Sequence, residues 1–409
     1  MDNFYEATVA RPSAYAPLAG RHSVDVCIVG GGLAGLSTAL GLAERGVVNV
    51  AVLEARQVGF GASGRNGGFV FGGYSLDCAD MLKTLGAVRA RELYALTTDA
   101  GVILANWFDE PARLDAQRRL MRDSFGVDWE PLTADQLASQ LKTRRYHGGL
   151  FERNAFHFHP LKYVLGVANA AANAGVRIHE QSPVVRLQRE GAGFIVHTPQ
   201  GAIDARHVVM AGGGYARNVH AKVERAVLPI ATYVMATEPL GARLQDAIDT
   251  RAAVYDTRFA FDYYRPLPDT RILWGGRISV RDRAPEAIAR LLRRDLLKVY
   301  PQLHDVRIDY AWGGLMSYAR HKMPQIGCGA DGVWHAVGFG GHGMAPTTVS
   351  GELLAAAIAG ERPVPEAFAT FGLTPAYGAL GLAAAQLTYT AMQTRDALAA
   401  RRRLSRRPH

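Results

Sequence analysis

The chemistry of this 409-residue chain is concentrated in three glycine-rich turns, each following an apolar run. The first reads Gly30-Gly31-Gly32-Leu33-Ala34-Gly35, after the run 24–29 and before a helix-like stretch at 36–45 closed by Gly46. A second apolar run, 47–53, ends at Glu54, nineteen residues after Gly35. Gly30-x-Gly32-x-x-Gly35 with a distal acid, in a strand–turn–helix–strand context, is a dinucleotide-binding fingerprint. One glycine makes the tight turn, one lets backbone approach the pyrophosphate, and one allows helix and strand to touch. The first helical amides, Leu33 and Ala34 included, then face the phosphates with the positive end of the helix dipole. Glu54, followed by Ala55 and Arg56, is placed to accept from the adenosine ribose hydroxyls.

The second turn separates FAD from a nicotinamide cofactor. A nicotinamide enzyme would continue its βαβ sheet, whereas here the chain runs Gly59-Phe60-Gly61-Ala62-Ser63-Gly64-Arg65-Asn66-Gly67-Gly68, then Gly72-Gly73. Such a loop can lie along an extended cofactor, offering main-chain amides from Gly61, Ala62, Gly64, Gly67 and Gly68 and the side chains of Ser63 and Asn66. Four short strands are expected at 176–179, 184–187, 194–197 and 207–210, the last running into Ala211-Gly212-Gly213-Gly214. Small residues there let Gly212 and Gly213 pass beside the dinucleotide, with the Val184 main chain meeting adenine. The absence of a second fingerprint and of any CxxC argues against a pyridine-nucleotide disulfide reductase. The third turn, Gly338 with Gly340-Gly341-His342-Gly343-Met344, follows a strand at 333–337 and opens a helix at 347–358. A reduced flavin is negative around N1 and O2, and this turn would aim amides and His342 at that charge.

These turns need a scaffold of some size, and 409 residues at 48% hydrophobic and 20% charged suit two lobes around separate cores. Glycine, at 44 residues, is about 11% of the chain against a usual share of roughly 7%. Half of it falls in the segments assigned to the cofactor and its reactive ring. Helices are expected at 83–108 and from His159-Pro160 to about 174. A strand at 259–266 pairs with 271–274 across Pro268-Asp269-Thr270. Period two sets Phe259, Phe261, Tyr263 and Arg265 on one face and Asp262 with Tyr264 on the other.

Three scattered cysteines, Cys27, Cys78 and Cys328, indicate neither a disulfide framework nor a thiolate metal site. With no secretory-type N-terminus, the cytoplasm is the expected location. Net charge is 46 − 37 = +9. Arg395, Arg401, Arg402, Arg403, Arg406 and Arg407 against Asp396 contribute much of it within a short basic tail, 396–409 included. The tail has no interleaved aromatics, so nucleic acid is not an expected partner. The uncharged stretches 26–43 and 367–394 are too interrupted or too poor in bulky aliphatics for a transmembrane span.

The chain resembles the D-amino-acid-oxidase-like superfamily of FAD-dependent oxidoreductases, and within it the gamma-glutamylputrescine oxidoreductase group. The matching pieces are the strand and turn at 25–32, the loop 59–68, Asp262-Tyr263-Tyr264-Arg265, Ala311-Trp312-Gly313-Gly314 and Gly340-Gly341-His342-Gly343. The resemblance implies an α/β (α+β) fold of two lobes: a Rossmann-like FAD-binding domain, discontinuous over 1–80, 151–222 and 323–395, and a substrate domain on a large mixed β-sheet over 81–150 and 223–322. It implies oxidation of an amine, of amino acid or acylated polyamine type, by hydride transfer to flavin N5, giving an imine that hydrolyses. A neutral amine is required, so a desolvated aromatic pocket is expected, with Tyr263, Tyr264 and Trp312 as wall residues. His342, Tyr263 and His321 are the catalytic candidates. Arg265 and His321 are candidates for holding a carboxylate or distal polar group, with Arg65 and Arg277 as further possibilities. Related sarcosine oxidases hold flavin on a cysteine, at the position best matched by Gly314, so non-covalent FAD is expected. Molecular oxygen or another electron acceptor completes the cycle. Two alternatives stay open: a D-amino-acid or N-methyl-amino-acid dehydrogenase passing electrons to a quinone or carrier, and a non-catalytic flavoprotein.

Overall fold

The computed structural model describes residues 3–12, 14–70, 75, 78–80, 82–84, 101–153 and 155–404. Its frame is two eight-stranded sheets. In the first, the path runs Gln325–Cys328, Trp334–Val337, Gly201–Met210, Gly20–Val29, Val50–Leu53 and Arg177–His179, with Arg186–Glu190 and Gly193–His197 added as a meander on Gly201–Met210. Gly20–Val29 lies parallel to Val50–Leu53 on one side and Gly201–Met210 on the other. Val26, Cys27 and Ile28 are buried on both faces, which is why the run is apolar without alternation.

Helices Leu33–Glu44 and Met344–Ile358 pack face to face on this sheet. Both are apolar nearly all round because each is enclosed by sheet and neighbouring helices. Their approach depends on missing side chains: a Cβ at Gly351 would sit 2.5 Å from the Ser37 Cβ. A third helix, Pro160–Asn173, begins with proline in its first turn, His159 accepting from the Lys162 amide, and stops before Gly175 at φ +91°.

The second sheet is mixed, in the order Ile308–Tyr318, Leu228–Thr237, Ile272–Ser279, Tyr263–Pro266, Ala253–Asp256, Val102–Ala105, Gly149–Glu152 and Glu130–Leu132. Helix Pro285–Val299 covers one face with Ile288, Leu292, Leu296 and Val299. The other face turns towards the first sheet.

Three expectations are corrected here. Val102–Ala105 is not the end of a helix over 83–108 but a buried strand, parallel to Ala253–Asp256; residues 85–100 lie outside the described residues. The hairpin strand is shorter than 259–266 because only Tyr263–Pro266 pairs with Ile272–Ser279. The C-terminal helix, Gly378–Leu404, runs through much of the segment expected to be a tail. It packs on the second sheet rather than the first: Leu382, Ala385 and Tyr389 lie against the cluster of Leu228 and Ile230, and the Gln386 and Asp396 side chains accept from the Val280 and Phe259 amides. Residues 378–395 are thus in contact with the second sheet. Among the described residues no helix is long and apolar enough to cross a membrane.

Candidate active site

An elongated cavity separates the two sheets, and all three glycine turns line it. On the first sheet's side, helix Leu33–Glu44 starts at Gly32, which has no side chain to cap it, and its first residues, Leu33 and Ala34, line the cavity. The Leu33 amide donates to Ser63 Oγ at 2.9 Å, tying the 59–68 loop to the helix start. Glu54 accepts from the Gly31 amide at 2.7 Å and the Arg56 amide at 2.9 Å. Burial raises the Glu54 pKa, and those same amides pull it back.

The third turn is stitched to the second sheet. Ser317, on Ile308–Tyr318, accepts from the Gly338 amide at its Oγ and from the Gly340 amide at its carbonyl. Gly338 and Gly340 take φ of +82° and +61°, which only glycine adopts readily. This fastening places a second uncapped helix start, Gly343 before Met344–Ile358, at the same cavity. His342 beside it has its pKa lowered to about 4 by burial, so at neutral pH it is a neutral imidazole that aims no positive charge at the site.

An aromatic wall faces the site, built from Tyr255 and Tyr263 of the second sheet, Phe261 of the turn between their strands, and Phe69 of the short strand Phe69–Val70, which lies outside that sheet. Phe69, Tyr255, Phe261 and Tyr263 line the cavity, with Tyr263 edge-on to Phe69 at 5.3 Å between ring centroids. The Tyr263 ring fits because two glycines flank it: a Cβ at Gly67 or Gly275 would come within 2.4 or 2.1 Å of ring atoms. Burial raises the Tyr263 pKa and keeps the phenol protonated. Arg277 lies on the same wall. It is the extra residue of a β-bulge between Leu228–Thr237 and Ile272–Ser279, where Thr232 pairs with Ile278 and Tyr233 with Gly276. Its φ of +62° is left-handed. Nε and one terminal nitrogen clamp Asp295, each at 2.7 Å, and Asp295 also accepts from Lys298 at 2.7 Å. Burial works against the Arg277 charge, and the ion pair more than offsets it. The other terminal nitrogen makes no hydrogen bond among the described residues. Apart from Glu54, Arg277 is the one formally charged side chain among the described lining residues.

Most cofactor candidates share this cavity: Gly30, Gly32, Leu33, Ala34, Glu54, Gly61, Ala62, Ser63, Asn66, Gly67, Gly212, Gly213 and the 340–344 turn. Gly35, Gly64 and Gly68 do not line it; their missing Cβ atoms make room for the backbone carbonyls of Gly30, Gly59 and Phe158. Ala55 and Arg56 are exposed beside it, and Val184 packs on the cluster of Leu53 and Val208. Gly72 and Gly73 lie outside the described residues.

The substrate candidates divide more sharply. Tyr264 faces away from the cavity, stacked on Trp274 at 4.4 Å and bonded to the Tyr146 hydroxyl at 3.0 Å. Arg265 is buried and donates to the Gly67 and Phe158 carbonyls, both at 2.9 Å, so it clamps backbone outside the lining. Arg65 donates to the Phe60 and Gly313 carbonyls, and Trp312 donates from Nε1 to the Arg65 carbonyl, both holding the lobes together away from the cavity. His321 packs beside Phe371 in a turn after Ile308–Tyr318, where its Nδ1 accepts from the Met323 amide. The wall residues Phe69 and Tyr255 were not foreseen; the only local signal was an aromatic next to Gly67-Gly68 and another in the short apolar run 253–256.

The lining fits FAD. Gly213 and Gly343 line the cavity, where an added Cβ would make only ordinary contact, 3.7 Å from Ser317 Cβ and 3.8 Å from Phe339 Cβ, and the cavity joins a helix start and an acid to a broad apolar region. A sheet with a parallel centre and a dinucleotide-binding turn, facing a mixed sheet across such a cavity, is the arrangement of a flavin-dependent oxidoreductase. The chain belongs to the FAD dependent oxidoreductase (DAO) family, whose model matches residues 25–357. It is 32% identical to gamma-glutamylputrescine oxidoreductase of Escherichia coli, over 95% of this chain and 96% of that one. It is 33% identical to the probable oxidoreductase OrdL of Haemophilus influenzae, over 85% of each chain. Its fold matches the crystal structure of glycine oxidase from Geobacillus kaustophilus with a TM-score of 0.71 at 22% identity, covering 86% of this chain and 99% of that one.

Proposed function

We propose that the protein oxidises a primary or secondary amine that carries an anionic group, in the pocket formed by Tyr255, Phe261, Tyr263 and Arg277. When bound, FAD supplies the acceptor for the hydride that leaves the carbon bearing nitrogen; the resulting imine hydrolyses. The Leu33–Glu44 helix start and the 59–68 loop hold the pyrophosphate, and Glu54 orients the ribose. The aromatic wall excludes water and disfavours an ammonium, and the Arg277 charge disfavours it further, so the amine binds in its reactive neutral form. Arg277 holds the anionic end of the substrate with the edge that Asp295 leaves open.

The observation that carries this reading is the meeting, on the cavity, of an aromatic wall and Arg277, the one cationic side chain among the described lining residues. Anaerobic titration of the flavin-loaded protein with a panel of amines tests it: bleaching by amines bearing a carboxylate is expected, and a flavin that no amine bleaches would refute it in favour of a non-catalytic flavoprotein. That no described cysteine lines the cavity supports FAD held without a covalent bond. Acid denaturation should leave the flavin in the supernatant; flavin in the pellet would contradict this. Reoxidation by molecular oxygen is expected, and oxygen uptake during turnover separates it from transfer to a quinone or carrier.

A further inference from the structure

The outward face of helix Gly378–Leu404 has no role in the site. Its inward face is committed to the second sheet through Leu382, Tyr389, Gln386 and Asp396. On the opposite face, Leu380, Leu387 and Leu398 are 78%, 72% and 50% exposed. They are spaced by about two and five helical turns from Leu380 and so fall in one line, with exposed Ala384 and Ala391 between them. Tyr377, 63% exposed, stands where the helix begins. Of the nine exposed large hydrophobic side chains among the described residues, these are four, so the apolar surface is concentrated here.

Both ends of this stripe are basic. At the start, exposed Arg320 stacks on Tyr377 at 5.5 Å and donates to its hydroxyl, with exposed Lys322 two residues on. At the far end the helix carries exposed Arg395 and continues through Arg401, Arg402 and Arg403. Asp396, the acid in this helix, is turned inward to the Phe259 amide and neutralises nothing outside.

We propose that this face docks in the plane of an anionic lipid bilayer, the leucine line entering the headgroup boundary and the arginines at both ends meeting the lipid charge. Charge decides against a second copy of the chain. Antiparallel pairing would bring the Arg-rich end of one helix to the Arg320–Lys322 end of the other, and parallel pairing would oppose like ends directly. A span across the bilayer is excluded by the composition of the helix.

Co-sedimentation of the flavin-loaded, full-length protein with vesicles tests it without an activity readout. At low salt, vesicles of phosphatidylcholine with about a third phosphatidylglycerol should bind at least roughly tenfold more tightly than phosphatidylcholine alone, and salt should weaken the binding. The triple variant Leu380→Ser, Leu387→Ser, Leu398→Ser should lose about tenfold or more while keeping its flavin and melting temperature. Arg401→Gln, Arg402→Gln, Arg403→Gln should abolish the preference for anionic vesicles. Equal binding to both vesicle types, or an unchanged triple variant, overturns the proposal. So does a dimer in sedimentation velocity that the leucine variant converts to monomer, which would assign the face to a second copy.

Discussion

The role given to Arg277 can be separated from its structural role by Arg277→Gly, alone and with Asp295→Asn. Arg277 does two things: it pairs with Asp295, which is fully buried, and it presents a positive edge to the cavity. Removing one partner of a buried ion pair costs about 3–5 kcal/mol when the other is left uncompensated. Here Lys298, half-exposed and 2.7 Å from Asp295, remains, so the lower end applies. Glycine also relieves the left-handed φ of +62°, a strain of about 1–2 kcal/mol, partly offset by the greater freedom of glycine in the unfolded chain. The net expectation is a loss of about 2–3 kcal/mol, read by urea unfolding. Adding Asp295→Asn removes the buried charge and should return much of that stability.

Substrate binding should not return with it. A hydrogen bond to a charged group contributes about 1.5–3 kcal/mol, so both variants should lose about 10- to 150-fold in kcat/KM on amines bearing a carboxylate. Anaerobic flavin reduction with paired substrates, with and without the carboxylate, is the assay. If the double variant reduces its flavin with the anionic amine as fast as the parent, or if both substrates lose equally, Arg277 does not hold the anion.

Gly275→Ala would place a Cβ 2.1 Å from the Tyr263 ring; the displaced wall should slow flavin reduction about tenfold or more while FAD content stays constant, and an unchanged rate would show that the ring position is irrelevant. Arg265→Met leaves the Gly67 and Phe158 carbonyls without their buried donor and should cost about 2–4 kcal/mol with KM unaffected; a KM increase confined to anionic amines would return Arg265 to the substrate site. His159, His335 and His342 have pKa values lowered to about 4, by burial first, against about 6.5 when unfolded. Between those values the unfolded chain binds more protons, so stability is present above pH 6.5 and is lost as pH falls towards 4; a melting temperature flat over pH 7 to 5 would contradict the burial of these rings.

The glycine turns that line the cavity were legible because their geometry is local. A Gly30 at φ +118°, where a Cβ would lie 2.8 Å from the Ala211 backbone, leaves its mark in the sequence as an obligatory glycine within a turn of a few residues. The substrate half depends on pairings between distant segments. Val102–Ala105 is a run of four apolar residues that suits helix or strand equally, and the partner that decides, Ala253–Asp256, lies about 150 residues away. Alternation along 263–266 did separate Tyr263 from Tyr264, and strict use of it excludes both from one wall. Which of the two meets the cavity is set by Trp274 and helix Pro285–Val299 claiming the other face.

Arg277 shows the limit most sharply. The run Gly275-Gly276-Arg277 continues an apolar strand, and an uninterrupted ladder would assign its side chains to faces by simple alternation. The bulge breaks that alternation, yet the residue in the left-handed conformation is arginine while two glycines stand unused beside it. Those glycines are already required elsewhere, Gly275 beneath the Tyr263 ring and Gly276 against the Asp262 carboxylate. The strain therefore falls on the next residue, where the Asp295 clamp holds it. The charge on the proposed substrate wall is thus a consequence of packing on the neighbouring strand, which no local motif around Arg277 records.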